Sequence, residues 1–222
     1  MIDAFDAAAF VRLQTTIAAP PLVPEIRLHL ATEITPLWEA TEASLAAANV
    51  APPYWAFAWP GGQAIARYVL DHPAIVRGAR VLDFAAGCGI AAIAAAKAGA
   101  ASVTASDIDP IATAAAQLNA ALNDVAIAIA TNDLTRDPDP HGDWDVVLAG
   151  DVCYERPMAE AVTPWLRALA GRGVPVLMAD PGRAYLPQGG IEEIARYDVP
   201  TSLELEDRTT RTTRVLRITG AL

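Results

Sequence analysis

Val81-Leu-Asp-Phe-Ala-Ala-Gly-Cys-Gly89 is a short apolar run that ends in a glycine turn and leads straight into the alanine-rich segment 90–98. The run predicts a strand over 81–84, and the segment after the turn predicts a helix over 90–98. Glycine between a strand and a helix lets the backbone approach a ligand. In open α/β sheets that approach takes place in the crevice outside the carboxyl ends of the strands.

Outward from this turn, the rhythm of strand and helix continues. Strands are predicted over 102–106, 125–130, 144–149 and 174–179, with helices over 110–122 and about 157–170. Pro110 stands in the first turn of its helix, where its missing N–H costs nothing. The tail alternates over 195–205 and 212–219 around the polar turn Glu206-Asp-Arg-Thr209, which predicts an antiparallel hairpin. Together these elements predict an α/β fold: a mostly parallel sheet with helices on both faces and an antiparallel pair at the end. Toward the N-terminus, residues 1–50 read as an extension, with helical composition over 3–16, a short strand over 26–30, and Pro20, Pro21 and Pro24 breaking the chain between them. The run APPYWAFAWP at 51–60 cannot form a regular helix, and an amphipathic helix is predicted over 61–71, stopping near Pro73. Residues 51–222 are read as one globular unit.

The 222 residues suffice for one domain with a full core, and a hydrophobic fraction of 53% excludes a disordered chain. No apolar run reaches the length of a spanning helix, and Asp3 and Asp6 in place of a basic region argue against a secretory signal, so a cytoplasmic monomer that does not engage membranes is expected. Cys88 and Cys153 lack metal-type spacing, and His29, His72 and His141 are scattered, so neither a disulfide framework nor a metal site is expected. The net charge of −10, with Lys97 the sole lysine, argues against nucleic acid as a partner. An acidic surface suits a cationic target, although the charge also serves solubility alone.

Two cofactor classes use such a glycine turn. Gly87, Gly89 and Ala92 satisfy the dinucleotide pattern G-x-G-x-x-G/A, with the acidic Asp107 farther on. Asp83 separates the classes: an anionic side chain beside the turn repels a pyrophosphate, whereas S-adenosylmethionine lacks phosphate and carries a cationic amine and sulfonium. S-adenosylmethionine is therefore the expected cofactor, with Asp83, Gly87 and Gly89 at its site; the plainer reading of Asp83 is a buried cap on the turn. Asp107, at the end of the second strand, can accept both ribose hydroxyls. Asp109, just before Pro110, is better read as an N-cap. Asp133, after the third strand, can meet the adenine amino group, though Asx residues are common in loops for turn reasons alone.

The fourth strand ends in Gly150-Asp-Val-Cys-Tyr-Glu155, where acceptor specificity should lie. Asp151 favours a cationic or basic nitrogen over a neutral hydroxyl. Tyr154 is equally well read as a polar contact or as a half-buried aromatic lid. The APPY run at 51–54 lacks the polar first residue found in enzymes that methylate nucleic-acid amino groups.

PPYWAFAWPGGQAIARYVLDHP, VLDFAAGCGIAAIAAAKAGA, SDIDPIATAAAQLN, GDVCYE and ADPGRAYLP together resemble the lysine methyltransferases that act on the β-subunit of electron-transfer flavoprotein. The resemblance runs from about residue 23 to 219. It implies a Rossmann-like seven-strand fold with one reversed strand, Trp59 and Gly61 covering the methyl donor, and a lysine side chain entering near Asp151 and Tyr154, which occupy an Asp-x-x-Tyr signature. The implied partner is the flavoprotein β-subunit, with a ribosomal stalk protein as a further substrate. A small-molecule N-methyltransferase and a non-catalytic binding module on the same scaffold are the alternative readings. The present motif residues weigh against the last of these.

Overall fold

A computed structural model describes residues 6–32, 52–137, 142–202 and 206–219. Strand β1 (Thr16–Ala18) and β2 (Leu28–Leu30) pair antiparallel, while β3 (Arg80–Phe84), β4 (Ser102–Ser106), β5 (Ala128–Ala130), β6 (Val146–Gly150), β7 (Val176–Asp180), β8 (Ile191–Pro200) and β9 (Thr210–Ile218) form one sheet in the order β5-β4-β3-β6-β7-β9-β8. The first five of these run parallel; β9 lies antiparallel to both β7 and β8 and is the reversed strand. The helices are α1 (Ala7–Gln14), α2 (Pro60–Asp71), α3 (Ile90–Lys97), α4 (Pro110–Leu122) and α5 (Arg156–Gly171). The expected α/β architecture is present, and chains of similar fold are described below.

The central strands β3, β6 and β7 are buried on both faces, and they show why an unbroken apolar run works here. Along β3, β6 and β7 side chains alternate between two cores. Val81, Leu148 and Leu177 pack with Ile65 of α2 and Ile93 of α3 on one face. Leu82, Val147 and Met178 pack with Trp165 and Leu166 of α5 on the other. Asp83, two residues after Val81, falls on the α3 face by the same alternation. Helix α3, nearly all alanine and isoleucine, is buried from Ile90 to Ala95, and its small side chains let it sit close to the sheet.

The chain runs from β3 outward to β4 and β5, then crosses back so that β6 lies on the other side of β3. The order of strands therefore reverses between β3 and β6, and a crevice opens at their carboxyl ends.

Several boundaries differ from the sequence-based expectations. β5 is only three residues long, since Val125 to Ile127 still belong to the approach from α4; β6 and β7 each begin two residues later than expected. β8 begins at Ile191, four residues early, through a register irregularity between Glu193 and Ala195. Residues 1–5, which include the first three of the helix expected over 3–16, lie outside the described residues, as do 33–51 and 203–205. APPYWAFAWP yields one 3-10 turn, Tyr54–Ala56, before Pro60 opens α2.

The N-terminal segment is docked by two amides of α4. Asn123 holds Arg27 like a neighbouring strand: Arg27 N donates to its Oδ1 (3.0 Å), and its Nδ2 donates to Arg27 O (2.6 Å). Asn119, fully buried, accepts from His29 N (2.7 Å) and donates to Cys88 O in the glycine turn (2.9 Å). One side chain thus fixes both the N-terminal segment and the turn. Asn119→Ala strands the buried Cys88 carbonyl and the part-buried His29 N–H and is expected to lower unfolding free energy by about 1–3 kcal/mol. Urea denaturation checks this; a change below about 0.5 kcal/mol would show that water replaces the amide.

Candidate functional site

The glycine turn after β3 takes backbone angles that only some residues tolerate. Ala85, Gly87 and Gly89 have φ of 53°, 52° and 76°. A Cβ on Gly89 would lie 3.0 Å from Ala116 Cβ, so this glycine also permits the close approach of α3 to α4.

Two carboxylates hold the turn. Asp107, at the end of β4, accepts from Gly87 N (2.9 Å) through Oδ2 and from Asp109 N (3.0 Å) through Oδ1. Asp83 accepts from Ala92 N (2.8 Å), in the first turn of α3. Burial pushes Asp83 up to about 7, with the Ala92 N–H opposing and Asp107 adding to the rise. Burial also pushes Asp107 upward, against its backbone N–H contacts. The backbone donors of the turn are therefore already satisfied in part by anions of the chain itself. A pyrophosphate would compete with them; a cationic ligand would not.

A cavity of about 680 Å³ opens at the strand ends. Of the residues singled out from sequence, Trp59, Gly87, Asp107, Asp133, Asp151 and Tyr154 line it, whereas Gly61, Asp83 and Gly89 lie behind the wall. Asp83 sits on the α3 face and its described contact is the cap on Ala92. Asp109 lines the cavity and caps α4 by accepting from Ile111 N (2.8 Å), as expected. Asp133 accepts from Thr135 N (3.1 Å) and Thr135 Oγ1 (2.6 Å), and pairs with Arg136 (3.2 Å). Its side chain is engaged in the turn, and the Thr135 hydroxyl, ahead of Arg136, holds its carboxyl below the usual range. Cys88 is a buried thiol pushed up to about 12 by burial, a small residue in the turn.

The opposite wall centres on Asp151. It stands just past β6 with φ of 54°, a left-handed conformation in which aspartate is one of the tolerated residues. This turn points Oδ2 at the N-terminus of α2, where it accepts from Gly61 N (2.5 Å) and Gly62 N (3.2 Å). A Cβ on Gly61 would lie 2.5 Å from both Asp151 Oδ2 and Ala179 O, so no larger residue fits. Oδ1 accepts from Arg183 Nη2 at 3.3 Å. Burial pushes Asp151 up to about 7; the Arg183 guanidinium pulls it down and Asp180 pushes it up.

Aromatic rings close the mouth. Tyr54 lies 5.0 Å from Tyr154 and 6.1 Å from Trp59 between ring centres, and its hydroxyl donates to Glu155 (3.4 Å). Trp59 Nε1 donates to Tyr54 O (2.7 Å). Burial raises the Tyr154 phenol above its usual range, so the ring stays neutral. Tyr54 and Arg183 were not singled out by the sequence reading. Tyr54 belongs to the APPY run, and Arg183 to ADPGRAYLP after β7, whose role depends on contacts distant in sequence. Five carboxylates (Asp107, Asp109, Asp133, Asp151 and Glu155) and one guanidinium (Arg183) line the cavity among the described residues. Such a wall attracts cations.

The family model described as ribosomal protein L11 methyltransferase matches residues 66–152. Among solved structures, the magnesium protoporphyrin IX methyltransferase of Synechocystis PCC 6803 with bound S-adenosylmethionine superposes with a TM-score of 0.52 at 20% identity, covering 71% of this chain and 79% of that one. At that identity the likeness concerns the fold. The electron transfer flavoprotein beta subunit lysine methyltransferase of Xenopus laevis is 39% identical over 206 residues, 90% of this chain and 81% of the relative. The mouse protein of the same name is 37% identical over 203 residues, 87% and 76% of the two chains. On that identity and coverage, the chain belongs to the electron transfer flavoprotein beta subunit lysine methyltransferase family.

Proposed function

We propose that this methyltransferase transfers methyl groups from S-adenosylmethionine to lysine ε-amines on the β-subunit of electron-transfer flavoprotein. The observation that carries the reading is one acid-lined cavity that joins the glycine turn and Asp107 to Asp151 and Tyr154. S-adenosylmethionine supplies an electrophilic methyl group on a cationic sulfonium. Its ribose is assigned to Asp107, whose two oxygens each retain acceptor capacity beside one backbone N–H. Gly87 and Gly89 shape the turn, and Asp83 contributes from behind it by fixing α3. Asp133 serves the adenine end through the conformation of its loop, since its carboxylate is taken up by Thr135 and Arg136. Trp59 covers the cavity from the N-terminal side.

On the acceptor side, Asp151 Oδ1 receives one contact from Arg183 and keeps a lone pair for an amine. Asp151 orients that amine and stabilises positive charge as it develops on nitrogen. An ammonium has no lone pair, so it must lose a proton first. Proton transfer from an ordinary lysine, near 10.4, to a carboxyl near 7 is uphill by about three orders of magnitude. Release of the proton to bulk solvent at neutral pH carries about the same cost, so no internal base is needed and Asp151 is assigned as a positioning and electrostatic group.

The alternative substrate, a ribosomal protein, draws on the family match over 66–152. That match ends before Tyr154, so it covers the donor side of the cavity and, of the acceptor wall, Asp151 without Tyr154 or Arg183. The relatives named for the flavoprotein β-subunit match through the acceptor side too, which favours the flavoprotein.

Asp107→Ala should weaken S-adenosylmethionine binding by about 1.5–3 kcal/mol through loss of a charge-assisted contact. Calorimetric affinity equal to wild type would remove Asp107 from the donor site. Asp151→Asn preserves an oxygen for Gly61 and Gly62 while removing the charge. It should cut methyl transfer by about 10²-fold with donor affinity within about three-fold, and near-normal turnover would refute the assignment. Asp151→Ala is expected in addition to destabilise the fold, by about 1–3 kcal/mol, because it orphans both N–H groups. For the substrate, labelled donor and purified enzyme are incubated with recombinant flavoprotein, then with total lysate, and modified residues are mapped by mass spectrometry. Label on β-subunit lysines is expected; label confined to another protein or to small molecules would overturn the substrate.

A further inference from the structure

Behind Asp151 lies a second ion-pair layer that the transfer reaction as described does not use. Glu206, in the connection between β8 and β9, has a side chain only 1% exposed. It accepts from Arg183 Nη2 (2.5 Å) and Nη1 (3.2 Å) and from Arg211 Nε (2.9 Å). A carboxylate at this depth persists only when paired, and here two guanidiniums meet it. Arg183 Nη2 is shared: its stronger contact is to Glu206 and its longer one, 3.3 Å, to Asp151 Oδ1. Arg183 Nε is buried without a hydrogen-bond partner among the described residues, so the guanidinium is placed by its Nη edge and by the Trp59 ring, whose centre lies 5.9 Å away.

A guanidinium edge matches a carboxylate through two parallel bonds, and Glu206 occupies that edge. Asp151 consequently receives a single long contact rather than a full pair. We propose that Glu206, which Arg183 shares with Arg211, is a positioning residue for methyl transfer that restrains Arg183, so that Asp151 keeps an oxygen available for the acceptor amine. The inference rests on the reading of Asp151 as the acceptor-side carboxylate. With the Glu206 charge removed, the Arg183 edge can turn onto Asp151. Oδ2 already carries Gly61 and Gly62, so both Nη groups would fall on Oδ1 and fill the lone pair that the amine needs.

The groups facing Asp151 can be named from each side. Arg183 and Asp180 come from the segment at the end of β7, the N–H groups of Gly61 and Gly62 from α2, and Cys153 from its own loop, with Glu206 and Arg211 behind Arg183. Burial holds Asp151 near 7 against the pull of Arg183. A tighter Arg183 pair lowers that point, and a looser one raises it. Transfer requires ionised Asp151, so log kcat bends downward on the acid side of this point.

The test compares wild type, Glu206→Gln, Glu206→Asp and Arg211→Gln, with flavoprotein β-subunit and saturating labelled donor across the neutral pH range. Donor Kd is measured by calorimetry. Glu206→Gln should lower kcat at least about ten-fold, keep donor Kd within about three-fold, and move the acid-side bend down by about one pH unit. Glu206→Asp should recover part of kcat and restore the bend. Arg211→Gln, whose side chain is 28% exposed and tolerates change better, should move the bend upward, because Glu206 then holds Arg183 alone. An unmoved bend in Glu206→Gln overturns the proposal whatever its stability; should that variant not fold, an unmoved or lowered bend in Arg211→Gln does so. A wild-type enzyme inactive on the β-subunit would instead sink the substrate reading, whereas an active one with unmoved bends sinks this inference alone.

Discussion

Asp151 accepts the first two free N–H groups of α2 from a position just past β6, and much of the molecule is arranged around that contact. The left-handed backbone at Asp151 turns its carboxylate toward the helix, and the absence of a side chain on Gly61 allows the helix to arrive. Helix N-termini attract anions because their N–H groups are unpaired and their dipoles point outward. Here the anion is a side chain of the acceptor wall. The contact thus joins the segment preceding the Rossmann-like sheet to the strand end where chemistry is assigned, and it costs a buried carboxylate to do so.

The cavity follows from two such uses of aspartate. On the donor side, Asp83 and Asp107 satisfy N–H groups of the glycine turn and of α3. On the acceptor side, Asp151 satisfies α2. Each carboxylate is raised by burial, which opposes its ionisation, and a bound cation would offset that cost. A sulfonium donor and a lysine acceptor are both suited to such a site, and a phosphate-bearing cofactor is opposed by it. Among the described residues Arg183 is the one guanidinium on the wall, and its edge is turned toward Glu206.

The order of strands and helices was readable because each β-α unit carries its own local signals: an apolar run, a turn, and a helix opened by proline or closed by glycine. The glycine turn and the strand-end residues Asp107 and Asp151 were readable for the same reason, since topology puts strand ends at the crevice. Orientation was less accessible. Asp83 belongs to the turn, yet the alternation of β3 directs it toward α3; Gly61 matters through Asp151, ninety residues away in a bond that sequence spacing does not reveal. Glu206 and Arg183 are further examples, because a hairpin turn reads as polar surface until the sheet folds it against β7. β5 is shorter than its apolar composition suggested, since three of its expected residues complete the connection from α4.

The most direct test of the account is a crystal structure of the enzyme with S-adenosylhomocysteine and a lysine-bearing β-subunit partner. The account predicts the ribose on Asp107 and the ε-amine within hydrogen-bond distance of Asp151, roughly 2.7–3.2 Å, with Tyr54, Tyr154 and Trp59 around the lysine stem. A nucleoside bound away from the glycine turn, or a lysine that approaches without reaching Asp151, would contradict it.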